Sequence, residues 1–541
     1  MNDVTIPVLI AGGGPVGLST ALFLGRHGIR TILVEKRDGT SLLPRAPGLQ
    51  ARTMELFRAA GFHHDVRALE LGDSHPYFEG GIIQTTTFSA IDDAVTLEAP
   101  SLDGPRVSPE RVMGCGQDRY EQVLSAKAGE LGCDVRFSTR LRSFTQDEDG
   151  VTAVVEDGER GRYSIRARYL VGADGGNSLT RRTLGVARYG RGTVFNALSI
   201  YFRAPELESI LKDRKFILCY ATAAPGTLMG LSRLHGCDPW LAAPLYFPEK
   251  GESPDDFPDE RCVDIIRTAT GRDDLDVEVV WKVPWEGAQL VAERFRDGRV
   301  FLAGDAAHLH PPAGGFGANT GIHDAHNLAW KLTATLRGWA GPELLDTYDA
   351  ERRRVGEAMA EQAMIRNRIR HGHADDATRA AMVDDIIITL GYRYQSSAIP
   401  GGDPAAPVLS PTLELSGEPG TRAPHVWLDS GGERISTIDL FWDRYVLLAG
   451  PDGGPWADGA ERVARQLGIP LRAEIIGGAG PRPTEWAFTQ TCGLTESGAL
   501  LVRPDAFVAA RWPALVADPD AALSSALASA AGFQTVPEGA R

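Results

Sequence analysis

"IPVLIAGGGPVGLSTALFLGRHGIRTILVEKR", residues 6–37, reads as one physical unit. Ile6 to Ile10 is almost wholly apolar, as a strand buried on both faces must be. Gly12, Gly14 and Gly17 follow at G-x-G-x-x-G spacing, "LSTALFLGRHG" reads as a helix, and a second strand, "TILVE", ends in Glu35. Gly12 permits the tight turn, Gly14 admits a pyrophosphate to the backbone, and Gly17 lets helix and strand close. The helix N-terminus offers unpaired amides and the positive end of its dipole. Glu35 can accept hydrogen bonds from both ribose hydroxyls and would repel a 2′-phosphate, so the dinucleotide expected here is FAD or NAD, not NADP. Glycines serving only a tight turn would need neither the flanking elements nor the acid.

At 541 residues the chain is too long for one core, and 43% hydrophobic content allows several. Its 71 acidic residues against 56 basic ones, a formal charge of −15, argue against a general nucleic-acid surface. Six cysteines (115, 133, 219, 237, 262 and 492) are scattered without a CxxC, which predicts reduced thiols and a cytoplasmic protein. The N-terminal apolar run lacks a basic flank and breaks into glycines, as a strand does and an export signal does not. No apolar stretch approaches the roughly 20 residues that span a bilayer. Neither nucleic acid nor membrane is an expected partner.

Beyond Glu35, "RTMELFRAAG" predicts a helix, with Arg45 and Arg52 presented by a polar, turn-rich loop before it. Residues 70–110 alternate like strands or wide loops. "CGQDRYEQVLSAKAGELG" predicts an amphipathic helix with Gln117 and Arg119 in its opening turn, and a hairpin follows around "DEDG". "ARYLVGADGGNSLTRRTLG" repeats the first pattern: a buried strand, a Gly-Asp-Gly turn, then Ser178 opening a helix. From about 190 to 284, "VFNALSIYF", "KFILCYATAAPG" and "DVEVVWKVPW" predict a sheet of their own. A helical region runs from "IHDAHNLAWKL" to about 390. A Pro/Gly/Ala-rich linker then leads into a last α/β pattern.

"GRVFLAGDAAHLHPPAGGFGANTG", residues 298–321, places Asp305 at the end of a third buried strand, where open α/β sheets bind ligands. A ligand hydroxyl, such as that of a ribityl chain, would offset the cost of this carboxylate. Gly314, Gly315 and Gly317 let amides converge on the carbonyl edge of a flat ring, and "GIHDAHNLAWKL" is expected to bring a helix N-terminus to the same place. His308 and His310 share a strand side near Asp305, but zinc wants further firm ligands. The prolines and glycines suit a loop shaped around a planar ring, so no metal is expected.

In this order the three stretches resemble the fingerprints of class A FAD-dependent aromatic hydroxylases, single-component flavoprotein monooxygenases, over most of residues 5–390. "PGTRAPHVWL", "STIDLFWDRYVLLAG" and "ALLVRPDAFVAARW" resemble the thioredoxin-like appendage of the aromatic polyketide hydroxylases, although "RPDAFVAAR" departs from their more usual "RPDGHVAWR". The resemblance implies an α/β fold: a Rossmann-like FAD-binding domain (1–75, 110–180 and 285–395, with a helical extension), an inserted sheet-based substrate domain (76–109 and 181–284), and a linker with a thioredoxin-like domain (396–541). It implies that Gly12, Gly14, Gly17 and Glu35 bind the ADP part, and that Arg45 and Gln117 approach flavin or pyrophosphate. Asp174 would serve FAD and NAD(P)H, Asp305 the ribityl or pyrophosphate region, and Pro312, Gly315, Gly317 and Asn319 the isoalloxazine. For Arg119 the alternatives are cofactor binding and a helix-start ion pair.

The implied reaction uses NADPH or NADH and O₂ to hydroxylate an electron-rich ring, that of a polycyclic polyketide in antibiotic biosynthesis, through a flavin hydroperoxide. No residue is singled out as the base. An epoxidase or Baeyer–Villiger-type oxygenase is the competing enzyme, and a non-catalytic flavin-binding protein the competing class. A homodimer is compatible with the resemblance.

Overall fold

The computed structural model describes residues 4–46, 48–70, 80–99, 107–223, 229–233, 239–478, 480–484 and 487–533. Cys237 and parts of the expected substrate domain (76–79, 100–106, 224–228 and 234–238) lie outside the described residues. The chain begins with β1 (Val4–Ala11), α1 (Pro15–Arg26) and β2 (Thr31–Val34), followed by α2 (Ala51–Ala60) and α3 (Gln117–Glu130). Strands β3 (Cys133–Arg136), β4 (Thr139–Gln146), β5 (Val151–Asp157) and β6 (Gly161–Gly172) come next. β1 lies between β6 and β2, both parallel to it, and β3 extends the sheet beyond β2. Val8, Leu9 and Ile10 are fully buried, with Val8 and Ile10 packing into one core and Leu9 into another, as a strand covered on both faces requires.

The second sheet contains β7 (Arg188–Arg203), β8 (Leu218–Ala221), β9 (Met229–Arg233), β10 (Trp240–Ala243) and β11 (Glu278–Ala292). β7 and β11 form one long antiparallel ribbon, and residues 82–85 join parallel to β8, so the 82–98 segment belongs to this sheet. Leu198, Ile200 and Phe202 pack on one face against Ile266 and Ala269 of the helix Asp259–Thr270. Period-two alternation sends Ala197, Ser199 and Tyr201 to the other face.

The chain returns to the first sheet with β12 (Val300–Leu302), parallel to β6, and then a short strand at His308–Leu309 pairs with β11 of the second sheet. The loop after β12 therefore ties the two sheets together. α4 (Phe316–Arg337) and α5 (Thr347–Arg370) follow. α4 starts inside the glycine run, earlier than the expected "GIHDAHNLAWKL". Gly317 and Gly321 cost roughly 1 kcal/mol each in a helix. Close packing offsets this at Gly321, where a Cβ would lie 2.5 Å from Val16.

The last unit consists of β13 (Tyr445–Ala449), α6 (Gly454–Leu467), β14 (Leu471–Ile475), β15 (Ala499–Val502), β16 (Val508–Trp512) and α7 (Pro519–Ala530). Its sheet order is β14-β13-β15-β16, with one parallel pair and two antiparallel pairs, a layout consistent with the expected thioredoxin-like unit. A fully buried set of charges joins it to the rest. Arg503 grips Glu351 of α5 through two bonds (2.6 and 2.9 Å) and also bonds Asp505. Lys331 bonds the same glutamate at 2.7 Å, and Asn327 and Trp330 of α4 donate to Asp505. Beside them Glu55 of α2 accepts from Arg52, Arg422 and Ser108. Burial opposes ionisation of Glu55, yet Arg422 and Arg52 hold its pKa at about 2.

Arg52, expected in a polar loop, is instead in the first turn of α2 and only 2% exposed. Its charge is met by Glu55 and by the backbone carbonyl of Asp505.

Candidate functional site

A cleft of about 700 Å³ opens where the first sheet's parallel strands end. Its floor is the first glycine turn. Gly12 has φ +110, and a Cβ there would lie 2.2 Å from the carbonyl oxygen of Ala173. Gly17 is buried away from the cleft, because a Cβ would come 1.9 Å from the Gly12 carbonyl oxygen. Gly14 lines the cleft, with nothing within 4 Å of a Cβ position. α1 carries no acid in its first turn and no side-chain cap, so its leading amides are free for an anion.

Glu35 stands at the rim. Its Oε2 accepts from the Gly13 amide (2.7 Å) and its Oε1 from the Arg37 amide (2.9 Å). These bonds fix the carboxylate while leaving lone pairs for ligand hydroxyls. Asp174 is also at the cleft, but its carboxylate is occupied locally. It accepts from Ser178 Oγ, the Thr180 amide (2.9 Å) and Thr180 Oγ1 (3.0 Å), which shapes the Gly175–Asn177 turn. Arg45 and Gln117 are brought together across 72 positions of chain: the Gln117 amide donates to the Arg45 carbonyl at 2.9 Å. Gln117 Nε2 donates to Glu121, whose other oxygen accepts from the Ser41 amide; burial raises the Glu121 pKa. Arg119 is not among the cleft-lining residues.

Asp305 lies on the far wall, in the turn after β12. Its side chain is exposed on the cleft wall and takes no hydrogen bond from the described residues. Desolvation by the surrounding cleft walls raises its pKa, with His308 opposing. With no protein donor, this carboxylate is open to a hydroxyl that enters the cleft. His308 itself is engaged: its Nε2 lies 2.7 Å from Asp324, which also accepts from Arg352 and the Gly304 amide. Burial opposes the Asp324 charge, but Arg352 and His308 hold the pKa at about 2. His310 stacks on His308 at 4.8 Å and lines the cleft as a neutral ring, its pKa pushed well below the ordinary value by burial and by His308.

Pro312, Gly315 and Gly317 line the same wall. Gly315, at φ +66, caps α4, and neither it nor Gly317 has anything within 4 Å of a Cβ position. The first turn of α4 has no acid and no side-chain cap, so its amides face the cleft unpaired. Asn319 does not line the cleft, contrary to expectation. It is 1% exposed and sits behind the loop, donating to the Gly315 and Gly48 carbonyls and accepting from the Gln50 amide and Thr53 Oγ1. A carboxamide that can both give and receive is more useful there than against a ring. Arg140 and Arg142 complete the opposite end of the cleft and were not singled out from the sequence, although the alternation of "TRLRSF" places both on the outward face.

The second sheet adds an aromatic face. Phe195 meets Trp285 edge-on at 5.4 Å, and Phe195 and Tyr220 both approach His371 at the end of α5. Burial raises the pKa of Tyr201 on that face, and the neighbouring Arg45 guanidinium pulls it down. Since Arg45 also lines the cleft, the aromatic face and the cleft meet there.

This donor set fits FAD. Free helix amides and bare glycines suit the pyrophosphate, and Glu35 and Asp305 suit ribose and ribityl hydroxyls. The open α4 start suits the polar edge of a flat ring.

Comparison with known proteins gives the same picture. Residues 5–363 match the FAD binding domain family, and residues 416–533 match the aromatic-ring hydroxylase C-terminal family. A tetracenomycin A2 monooxygenase-dioxygenase of Streptomyces glaucescens is 46% identical over 97% of both chains. A 4-methyl-5-nitrocatechol 5-monooxygenase of a Burkholderia species is 39% identical over 97% of both. A crystal structure of aklavinone-11 hydroxylase with FAD and aklavinone superimposes with a TM-score of 0.90 at 38% identity, covering 98% of this chain and 100% of that one.

Proposed function

The chain belongs to the FAD-dependent aromatic-ring hydroxylases, and from that premise we propose that it hydroxylates an electron-rich ring of a polycyclic aromatic polyketide. The observation that carries the substrate class is the aromatic face of the second sheet meeting the cleft at Arg45. We assign residues 1–75, 110–180 and 285–395 to cofactor binding, 76–109 and 181–284 to the substrate, and 396–541 to the linker and thioredoxin-like unit. The pairing of residues 82–85 with β8 supports the second grouping.

In this reading Gly12, Gly14 and the α1 amides hold the pyrophosphate, Gly17 permits their turn, and Glu35 holds the adenosine ribose. Asp305 accepts from the ribityl chain, and Arg45 and Gln117 fix the loop over the pyrophosphate. Asp174 holds the Gly175–Asn177 turn in shape for both nucleotides. Pro312, Gly315 and Gly317 flank the isoalloxazine, and Asn319 fixes their loop from behind. When bound, FAD accepts a hydride from NAD(P)H and activates O₂ so that one oxygen atom enters the ring. The free amides at the start of α4 stabilise negative charge at the ring's carbonyl edge. Phe195, Tyr220 and Trp285 supply the flat apolar wall that orients a fused-ring substrate and keeps water from the reacting atoms.

The test is NAD(P)H consumption with mass analysis across a phenol-to-tetracycle panel under ¹⁸O₂. Tri- or tetracyclic phenols are expected to couple best and to gain one ¹⁸O atom. Best coupling with a monocycle, the size named for the Burkholderia relative, would overturn the substrate class. Oxygen derived from water would overturn the oxygenase reaction.

A further inference from the structure

The C-terminal unit contains no CxxC, and its single cysteine among the described residues, Cys492, is fully buried. One turn of it nevertheless reaches the back of the cleft. Between β15 and β16 the chain runs Arg503-Pro504-Asp505-Ala506-Phe507, and these residues touch the cofactor loop's supports by two separate routes.

The first route is polar. Arg52 donates to the Asp505 backbone carbonyl at 2.6 Å and thereby anchors the start of α2. In the same turn of α2, Thr53 Oγ1 donates to Asn319 at 2.7 Å, and just before it the Gln50 amide does so at 2.9 Å. Asn319 then donates to the Gly315 carbonyl at 3.0 Å. Arg52, Thr53 and Asn319 therefore link the turn to the residue that caps α4.

The second route is apolar. Phe507 stacks on Tyr394 with ring centroids 4.0 Å apart and lies 5.6 Å from Tyr392. Phe316 belongs to this same buried cluster. Its ring lies directly against Gly314, where a Cβ would come within 2.3 Å of it. Close-packed interiors transmit displacement, and Phe507 and Phe316 share one buried cluster, which gives a packed path from the turn to the Gly314–Gly317 backbone.

We propose that the Arg503–Phe507 turn is a positioning element for the cofactor loop Gly314–Asn319, which makes the thioredoxin-like unit part of the flavin-binding apparatus. The inference rests on the FAD reading of the cleft. Phe507 and Asp505 touch no ligand and act through Arg52, Asn319 and Phe316.

Three variants separate positioning from mere stability. Phe507→Ala empties space beside Tyr392 and Tyr394 in the cluster that also holds Phe316, Phe507→Leu refills most of it, and Leu523→Ala damages the same unit's core on α7, away from the turn. FAD affinity is read by titration of apoprotein at a temperature where all remain folded, together with the flavin reduction potential and amide exchange over residues 314–319 in FAD-free protein. Phe507→Ala is expected to weaken FAD about tenfold, to shift the potential and to speed exchange in that loop, while Leu523→Ala leaves all three at parental values. Phe507→Leu should recover to within about threefold of the parent. Parental affinity in Phe507→Ala would overturn the proposal, as would an equal loss in Leu523→Ala. Should Phe507→Ala not fold, unchanged loop exchange and affinity in Phe507→Leu would overturn it, and a small loss of affinity with faster loop exchange would uphold it. A parent that binds no FAD would instead remove the premise, a separate result.

Discussion

Two regions of this molecule are rich in charged and polar groups, and they are built in opposite ways. In the cleft the strongest groups are left open: Asp305 without a donor, the leading amides of α1 and α4 without acceptors, and glycines without side chains in front of them. At the joint with the C-terminal unit every charge is answered. Glu351 receives Arg503, Lys331, Asn327 and Ser396, while Glu55 receives two arginines and a serine. Residue type alone does not distinguish a binding site from a structural joint. The difference lies in whether the protein itself satisfies the group.

The contrast can be broken most forcefully at Glu351. Glu351→Ala leaves Arg503 and Lys331 buried with one carboxylate fewer, and removing one partner of such a set costs about 3–5 kcal/mol. Urea unfolding of the apoprotein should show that loss. A loss under about 1 kcal/mol would mean the joint is not the closed network described. Asp305→Ala should do the reverse, sparing apoprotein stability while lowering FAD affinity. Charge-assisted bonds of this kind contribute roughly 1.5–3 kcal/mol, or about 10- to 150-fold in affinity. Equal affinities of variant and parent in an apoprotein titration would remove Asp305 from the site.

The smallest effect sharpens the joint. Ala506 has φ +65, a left-handed conformation in which a Cβ is strained, at the position where the resembling enzymes usually carry the glycine of "RPDG". Ala506→Gly should therefore raise stability by about 1 kcal/mol or less, part of the strain relief being lost to the looser unfolded chain. A lower denaturation midpoint would show that the turn is not strained there.

What could be read from the sequence divides along the same line. The β1–α1–β2 unit, the Asp174 turn and the strand before Asp305 announce themselves because hydrophobic period, glycine spacing and a strand-end acid all lie within a few dozen residues. The start of α4 is obscured because glycines argue against a helix until Val16 is known to press on Gly321. The resemblance places Asn319 at the ring face, but its four hydrogen bonds run to segments more than 260 positions away as well as to Gly315. Arg52, Glu55 and Arg503 look like solvated surface charges in a single sequence. Their partners are set by tertiary packing, for which local pattern carries no signal.

The pairing of Arg52 with the carbonyl of Asp505 spans 453 positions, and that of Arg422 with Glu55 spans 367. At ribosomal rates of about 5–20 residues per second, Arg52 leaves the ribosome roughly 20–90 s before its partner exists. During that interval α2 bears an arginine and a glutamate that the finished protein encloses, and water must solvate them. The first glycine turn needs only neighbours up to about residue 174, whereas the rear support of the cofactor loop must wait until residue 507 has been made. A chain stopped after residue 500 would thus carry every strand of the first sheet but lack the Arg503–Phe507 turn, leaving Tyr394 without the ring that stacks on it and the cofactor loop without its rear support.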